Sequence, residues 1–330
     1  MALLRRPFLS AVLAVTALAS SFGRPLVIAH RGASGYLPEH TLEAAAYAHA
    51  LGADSIEQDV VLSKDDVLVV IHDIHLDTTT DVATRFPGRA RADGRFYAID
   101  FTWAELVTLN VRERFDAATG ERVFPARFPA NGAGFRLCTL DEQIRLIQGL
   151  NQSTGRTAGL YVEFKEPAWH AREGKDLGAA LLATLRGHGY AKRSDPVFVQ
   201  CFEPAALRRL RVELRTELAL VQLISGGASQ AALTTPEGLR EIATYAQGIG
   251  PALGLVAGTG ADGLPMPTTL VRDAHAAGLV VHPYTFRADA LPPGTPSLAA
   301  QLDFFLREAA IDGFFTDHPD AGVRAVRALP

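Results

Sequence analysis

The chain has 330 residues, 48% of them hydrophobic, and its 36 Asp and Glu outnumber 32 Lys and Arg for a formal net charge of -4. That balance argues against nucleic acid or an anionic membrane surface as the main partner. The length suffices for one large core, so a second domain is not required.

Residues 1–23 read as a signal peptide and linker, with Arg5 and Arg6 ahead of the apolar stretch Phe8 to Ala19 and the small-residue triplet Ala17-Leu18-Ala19. Cleavage is expected near Ala19, and loss of the two arginines takes the charge from -4 to -6. The apolar stretch is too short to cross a bilayer, and no cysteine follows it closely enough to take a lipid anchor. The expectation is an exported protein of the bacterial periplasm with no stable membrane anchor. Cys138 and Cys201, the only cysteines, leave open a disulfide or two buried thiols.

In the mature chain, Leu26 to His30 predicts a buried strand, and Thr41 to Leu51 a helix capped by Thr41 and stopped at Gly52. The pattern repeats: strand Ser55 to Leu62 with helix Asp141 to Leu150, Gly159 to Phe164 with Lys175 to His188, and Val197 to Phe202 with Glu203 to Leu214. Further copies are Leu218 to Ile224 with Pro236 to Tyr245, Gly248 to Pro251 with Thr268 to Ala277, Leu279 to Tyr284 with Leu298 to Ala309, and Asp312 to Thr316 with a last helix. Eight alternating units whose strands need cover on both faces predict an α/β fold, a (β/α)8 TIM barrel over residues 24–330. The rhythm breaks at about residues 75–136, too long for a connection and rich in Arg, Asp, Gly and Pro. This reads as a lobe inserted after the second strand, with a helical piece from Thr102 to Leu109 and a mini-core of Phe96, Tyr97, Phe101 and Trp103.

The chemistry gathers at strand ends, where a parallel barrel displays its site. Glu57 and Asp59 are two apart on one strand and point to one face, and carboxylates among apolar flanks need a metal or cationic partners. Val60-Val61-Leu62 and Val67 to Ile71 flank Ser63-Lys64-Asp65-Asp66 as a hairpin, and pairing Leu62 with Val67 puts His72 across from Glu57. His30 ends the first strand beside Arg31 and the flexible stretch Gly32 to Gly35, which suits a guanidinium and backbone N–H groups to a phosphate. Two histidines at neighbouring strand ends fit a general base and a general acid better than two metal ligands, because carboxylates already supply hard oxygen donors. On the third strand Glu163 and Lys165 share a face, an acid to complete the metal site and a cation for the phosphate. Gln200 ends strand four, His282 with Tyr284 and Arg287 ends strand seven, and Asp317-His318 follows strand eight, all candidates to line the pocket. His49, His75, His170, His188 and His275 read as surface or packing residues.

In HRGASGYLPEHT, EQDVVLSKDDVLVVIHD, DVATRFPGRARADGRFYAIDF, QCF, HPYTFRADALP and GFFTDHPD, the chain resembles the glycerophosphodiester phosphodiesterase family, specifically its periplasmic bacterial branch. The resemblance implies a bound divalent cation, Ca2+ rather than Mg2+, and hydrolysis of small-molecule glycerophosphodiesters to sn-glycerol 3-phosphate and an alcohol. It implies His30 and His72 as catalytic acid–base pair and Glu57, Asp59 and Glu163 as metal ligands. Arg31, Lys165, Glu39, Gln200 and His282 become substrate or phosphate contacts, while His40, where many relatives carry Asn, keeps an open role. It also implies attack on phosphorus by the neighbouring glycerol hydroxyl and opening of the resulting cyclic phosphate by water. The rivals are a phospholipase D-like hydrolase of intact lipids and a non-catalytic binder of phosphorylated metabolites.

Overall fold

The computed structural model describes residues 23–129, 134–260 and 264–330, so the expected leader up to Ser21 and Phe22 lies outside the described residues. Strands β1 (Leu26–Ala29), β2 (Ser55–Leu62), β3 (Gly159–Phe164), β4 (Val197–Cys201), β5 (Ala219–Ile224), β6 (Gly248–Pro251), β7 (Val280–Val281) and β8 (Gly313–Thr316) run parallel in the order β7-β6-β5-β4-β3-β2-β1-β8. The ring is nearly closed, and the seam between its first and last members carries hydrogen bonds from Asp312 N–H to the Val281 carbonyl (3.1 Å) and from Phe315 N–H to that of Pro283 (3.0 Å). Helices α1 (Leu42–Leu51), α2 (Leu140–Thr154), α3 (Leu177–Gly187), α4 (Pro204–Val212), α5 (Pro236–Ile242), α6 (Leu270–Ala276), α7 (Leu298–Arg307) and α8 (Pro319–Arg327) each follow the strand of the same number. This is the expected TIM barrel.

Local signals set the helix ends. Thr41 accepts from Ala44 N–H and Gly52 closes α1 with φ of 96°. Thr139 and Glu142 cap each other's backbone to start α2, which runs past the expected Leu150 to Thr154 and is capped by Gly155. Strand residues such as Ile56 and Val60 pack outward against the helices, whereas Leu26, Ile28, Tyr161, Val221 and Phe315 fill the barrel interior. Cys138 and Cys201 are free and buried, the thiol alternative.

The hairpin departs from its expected register by one residue. Leu62 pairs with Leu68, and Ser63 N–H donates to the Val67 carbonyl (3.0 Å), so the turn holds Lys64, Asp65 and Asp66 only. Asp66 takes the left-handed conformation with φ of 61°, and the Ser63 hydroxyl accepts from Val67 N–H (2.9 Å). Consequently Asp59, not Glu57, receives the return strand's last backbone bond, from Ile71 N–H (2.9 Å). His72 lies just past the ladder.

After Ile71 the chain builds a second apolar core from Ile74, Leu76, Val82, Phe96, Phe101, Leu106, Leu109, Phe135 and Leu137, set on Val61 and Val69 of the hairpin. Phe96 and Phe101 are buried there, while Tyr97 and Trp103 are half-buried at its edge. The expected helical piece is one turn, Trp103–Leu106, started by a Thr102 and Glu105 capping box.

Candidate active site

Parallel register assembles the acidic centre. Asp59 on β2 is level with Glu163 on β3, which is level with Gln200 on β4, and Glu57 follows one pleat below Asp59. Oxygen atoms of Glu57, Asp59 and Glu163 lie within 4.8 Å of one another, and all three residues are buried. They open on a cavity of ≈ 370 Å³ that His30, Arg31, His72, Lys165, Gln200, Phe202, Tyr284 and Arg287 also line.

Burial, then Asp59 and Glu163, push the Glu57 carboxyl well above the usual range. Glu163 is pushed up to about 8 by burial, partly offset by Lys165. Burial also works against Asp59, but Lys165 and His40 hold that carboxyl well below its ordinary value. Two acids forced toward protonation beside an ionised third are short of positive charge, as expected of a site built for a cation. The buried Asp59 Oδ1 has no hydrogen-bond partner, which leaves a donor atom free for it. The trio is able to bind a metal ion.

His30 extends from β1 with Nε2 3.8 Å from Glu57 Oε2, and its Nδ1 is 2.6 Å from Asp317 Oδ1. His72 repeats the arrangement with Nδ1 2.5 Å from Asp73 Oδ1 and Nε2 3.4 Å from Lys165 Nζ. A carboxylate only accepts, so in each ring Nδ1 carries the proton and Nε2 keeps its lone pair. Burial, then Arg31, lowers His30 to about 4, with Asp317 opposing; burial and the Arg31 and Lys165 charges lower His72 to about 3.

The loop after β1 turns tightly. Arg31 and Gly32 take φ of 58° and 81°, which points Arg31 N–H at Glu57 Oε2 (2.9 Å). A Cβ on Gly32 would stand 2.7 Å from the Ala44 backbone carbon, so this turn requires glycine. The Arg31 side chain places Nε 3.6 Å from Asp59 Oδ2, and Lys165 Nζ lies 2.6 Å from Glu163 Oε1 and 4.0 Å from Asp59 Oδ1.

Most of the expected site residues meet in this cavity; Glu39 and His282 do not line it. Glu39 is engaged by Arg31 Nη1 (3.0 and 2.9 Å) and by Arg114 from the lobe (2.7 and 3.1 Å), so it braces the Arg31 side chain. His282 sits one layer deeper, with Nδ1 3.0 Å from the Tyr161 hydroxyl and its ring edge-on to Tyr161 and Phe198. Gln200 donates to Glu57 Oε1 (2.9 Å), and His40, whose role the sequence left open, donates to Asp59 Oδ2 (2.7 Å). Asp73, which contacts His72, and Arg114, which contacts Asp73 and Glu39, were not among the expected site residues; the signal for Asp73 was adjacency to His72.

A model of the glycerophosphoryl diester phosphodiesterase family matches residues 30–321. The chain belongs to this family. Glycerophosphodiester phosphodiesterases of Haemophilus influenzae and Treponema pallidum are 39% and 38% identical to it, covering 92% and 91% of this chain and 90% and 91% of their own. The structure of an Oleispira antarctica phosphodiesterase in complex with the product sn-glycerol-3-phosphate shares the fold, with a TM-score of 0.64 at 23% identity over 93% of this chain and 98% of that one. As a glycerophosphodiester phosphodiesterase, the chain is an enzyme that hydrolyses phosphoric diesters. Among the described residues, no helix is long and apolar enough to cross a membrane.

Proposed function

We propose that the enzyme hydrolyses glycerophosphodiesters to sn-glycerol 3-phosphate and an alcohol with a divalent cation, calcium in our reading, and with His30 and His72 as its acid–base pair. The observation that carries this is the matched pair of imidazoles, each tied at Nδ1 to an aspartate, flanking one three-carboxylate centre. The product bound to the Oleispira antarctica protein supports the choice of product. A cation held by Glu57, Asp59 and Glu163 would offset charge that builds on the nonbridging phosphoryl oxygens. Three oxygen donors without nitrogen or sulfur suit a hard ion.

Arg31 and Lys165 would hold the phosphodiester, whose negative charge raises the basicity of both nearby histidines. One imidazole Nε2 takes the proton of the glycerol hydroxyl beside the diester as that oxygen attacks phosphorus. The second histidine, having taken up a proton at Nε2 as the imidazolium when the diester binds, gives that proton to the departing alcohol oxygen as its bond to phosphorus breaks, leaving a cyclic phosphate. The two then exchange roles as water opens the ring. The leader pattern ending near Ala19 supports a periplasmic site of action.

The test is hydrolysis of glycerophosphocholine after exhaustive chelation, then with calcium or magnesium restored. Activity should vanish and return with calcium at the lower concentration; full turnover without metal overturns the reading. Choline release from phosphatidylcholine vesicles at the rate of the deacylated diester would favour the lipid-hydrolase rival, and tight binding without turnover the binding-protein rival.

A further inference from the structure

We propose that Arg114 and Arg127, both supplied by the inserted lobe, are positioning residues that hold the two histidine–aspartate pairs, so that the lobe completes the active site rather than merely framing its mouth. The proposal rests on the reading of His30 and His72 as the acid–base pair.

Each aspartate divides its two oxygens in the same way. Asp73 gives Oδ1 to His72 Nδ1 (2.5 Å) and accepts from Arg114 Nη1 at Oδ2 (2.6 Å). Asp317 gives Oδ1 to His30 Nδ1 (2.6 Å) and accepts from Arg127 Nη2 at Oδ2 (2.7 Å). The histidines stand at the ends of different strands and the aspartates are 244 residues apart in number, 73 against 317, yet both second oxygens meet an arginine from one 14-residue stretch, 114 to 127. A carboxylate gripped at both oxygens cannot rotate, and the imidazole on it keeps its ring plane and tautomer.

Neither arginine resembles a surface ion pair, for their side chains are only 17% and 5% exposed. Each is also anchored away from its aspartate. Arg114 grips both oxygens of Glu39, which itself holds Arg31. Arg127 grips both oxygens of Asp289 (2.7 and 3.0 Å) and donates to the Ser34 carbonyl (3.2 Å) in the loop after His30. Arg287 is a second donor to Asp317 Oδ2 (2.8 Å), so the His30 pair keeps one cation if Arg127 is lost. Asp73 Oδ2 keeps only the neutral Thr78 hydroxyl (3.0 Å), so the Arg114 change should cost more than the Arg127 change. Lysine reaches one partner but lacks the fork needed for two.

The experiment is a pair of double-mutant cycles on the metal-loaded enzyme, read as kcat and KM for glycerophosphocholine, with thermal melting and imidazole 15N spectra of each variant. Arg114→Ala and Arg127→Ala should each lower kcat about ten- to hundredfold, with KM moved less than about threefold in the Arg127 variant and raised further in the Arg114 variant, which also frees Glu39 behind Arg31. In an Asp73→Asn background Arg114→Ala should cost less than about threefold more, and likewise Arg127→Ala in Asp317→Asn. The ring nitrogens of His72 should shift in the first variant and those of His30 in the second, and Arg114→Lys and Arg127→Lys serve if an alanine variant does not fold. Unchanged kcat in the arginine variants, or equal losses with and without the aspartate, overturns the proposal while leaving the acid–base assignment intact. Retained turnover by a His30→Ala, His72→Ala variant overturns that assignment itself.

Discussion

Asp317 Oδ1 lies 2.6 Å from His30 Nδ1, joining the end of the last barrel strand to the end of the first. Burial disfavours the Asp317 charge, but His30, Arg287 and Arg127 hold the carboxyl well below its usual range, so it stays ionised and keeps the His30 proton on Nδ1. Asp317→Asn can donate to that nitrogen and so reverse the tautomer. It should lower kcat about 10²- to 10⁴-fold with little change in KM, as steady-state assays on glycerophosphocholine would show.

The carboxylate centre predicts a different signature. Asp59→Asn removes the ionised member of the trio and its unpartnered oxygen. Calorimetric titration should show calcium affinity reduced at least about tenfold, with activity recovering only at higher metal. Unchanged affinity would place the ion elsewhere.

Gly32→Ala tests the turn that aims Arg31. The added Cβ meets the Ala44 backbone at φ of 81°, a conflict no side-chain rotation relieves. Urea unfolding should show a loss of about 1–3 kcal/mol, together with reduced activity.

Glu113 predicts a pH effect on stability away from the three-carboxylate centre. It is 7% exposed, its Oε1 has no partner, and burial, against the pull of Arg127, pushes its carboxyl up to about 7. The folded state then holds the proton more tightly than the unfolded state does. Stability from this group is full below pH of about 4.5 and declines as pH rises through about 7. Glu113→Gln should stabilise by about 1–3 kcal/mol at pH 8, and the gain should shrink toward pH 4.5, by chemical denaturation at each pH.

Strands and helices were legible because apolar runs and caps such as Thr41 and Gly52 act locally. The alternation that pairs Glu57 with Asp59 and Glu163 with Lys165 was legible for the same reason. Hairpin register was not, because four polar residues can turn with Ser63 inside the loop or at its edge, and the hydroxyl of Ser63 decides for the edge. Nor could strand-end position tell which layer a residue occupies. His282 ends β7 as His30 ends β1, yet it hydrogen-bonds Tyr161 below the carboxylates. The pairing of Glu39 with Arg114 was not legible because the two lie 75 residues apart. In a lobe rich in arginine nothing local distinguishes Arg114 or Arg127 from their neighbours.

The most direct measurement follows glycerophosphocholine by 31P NMR with calcium-loaded wild type and with the His30→Ala, His72→Ala variant, after confirming that both are folded. Wild type should convert the diester signal to that of sn-glycerol 3-phosphate, while the variant leaves it unchanged over the same period. Conversion by the variant at the wild-type rate would contradict the assignment of His30 and His72 as the acid–base pair.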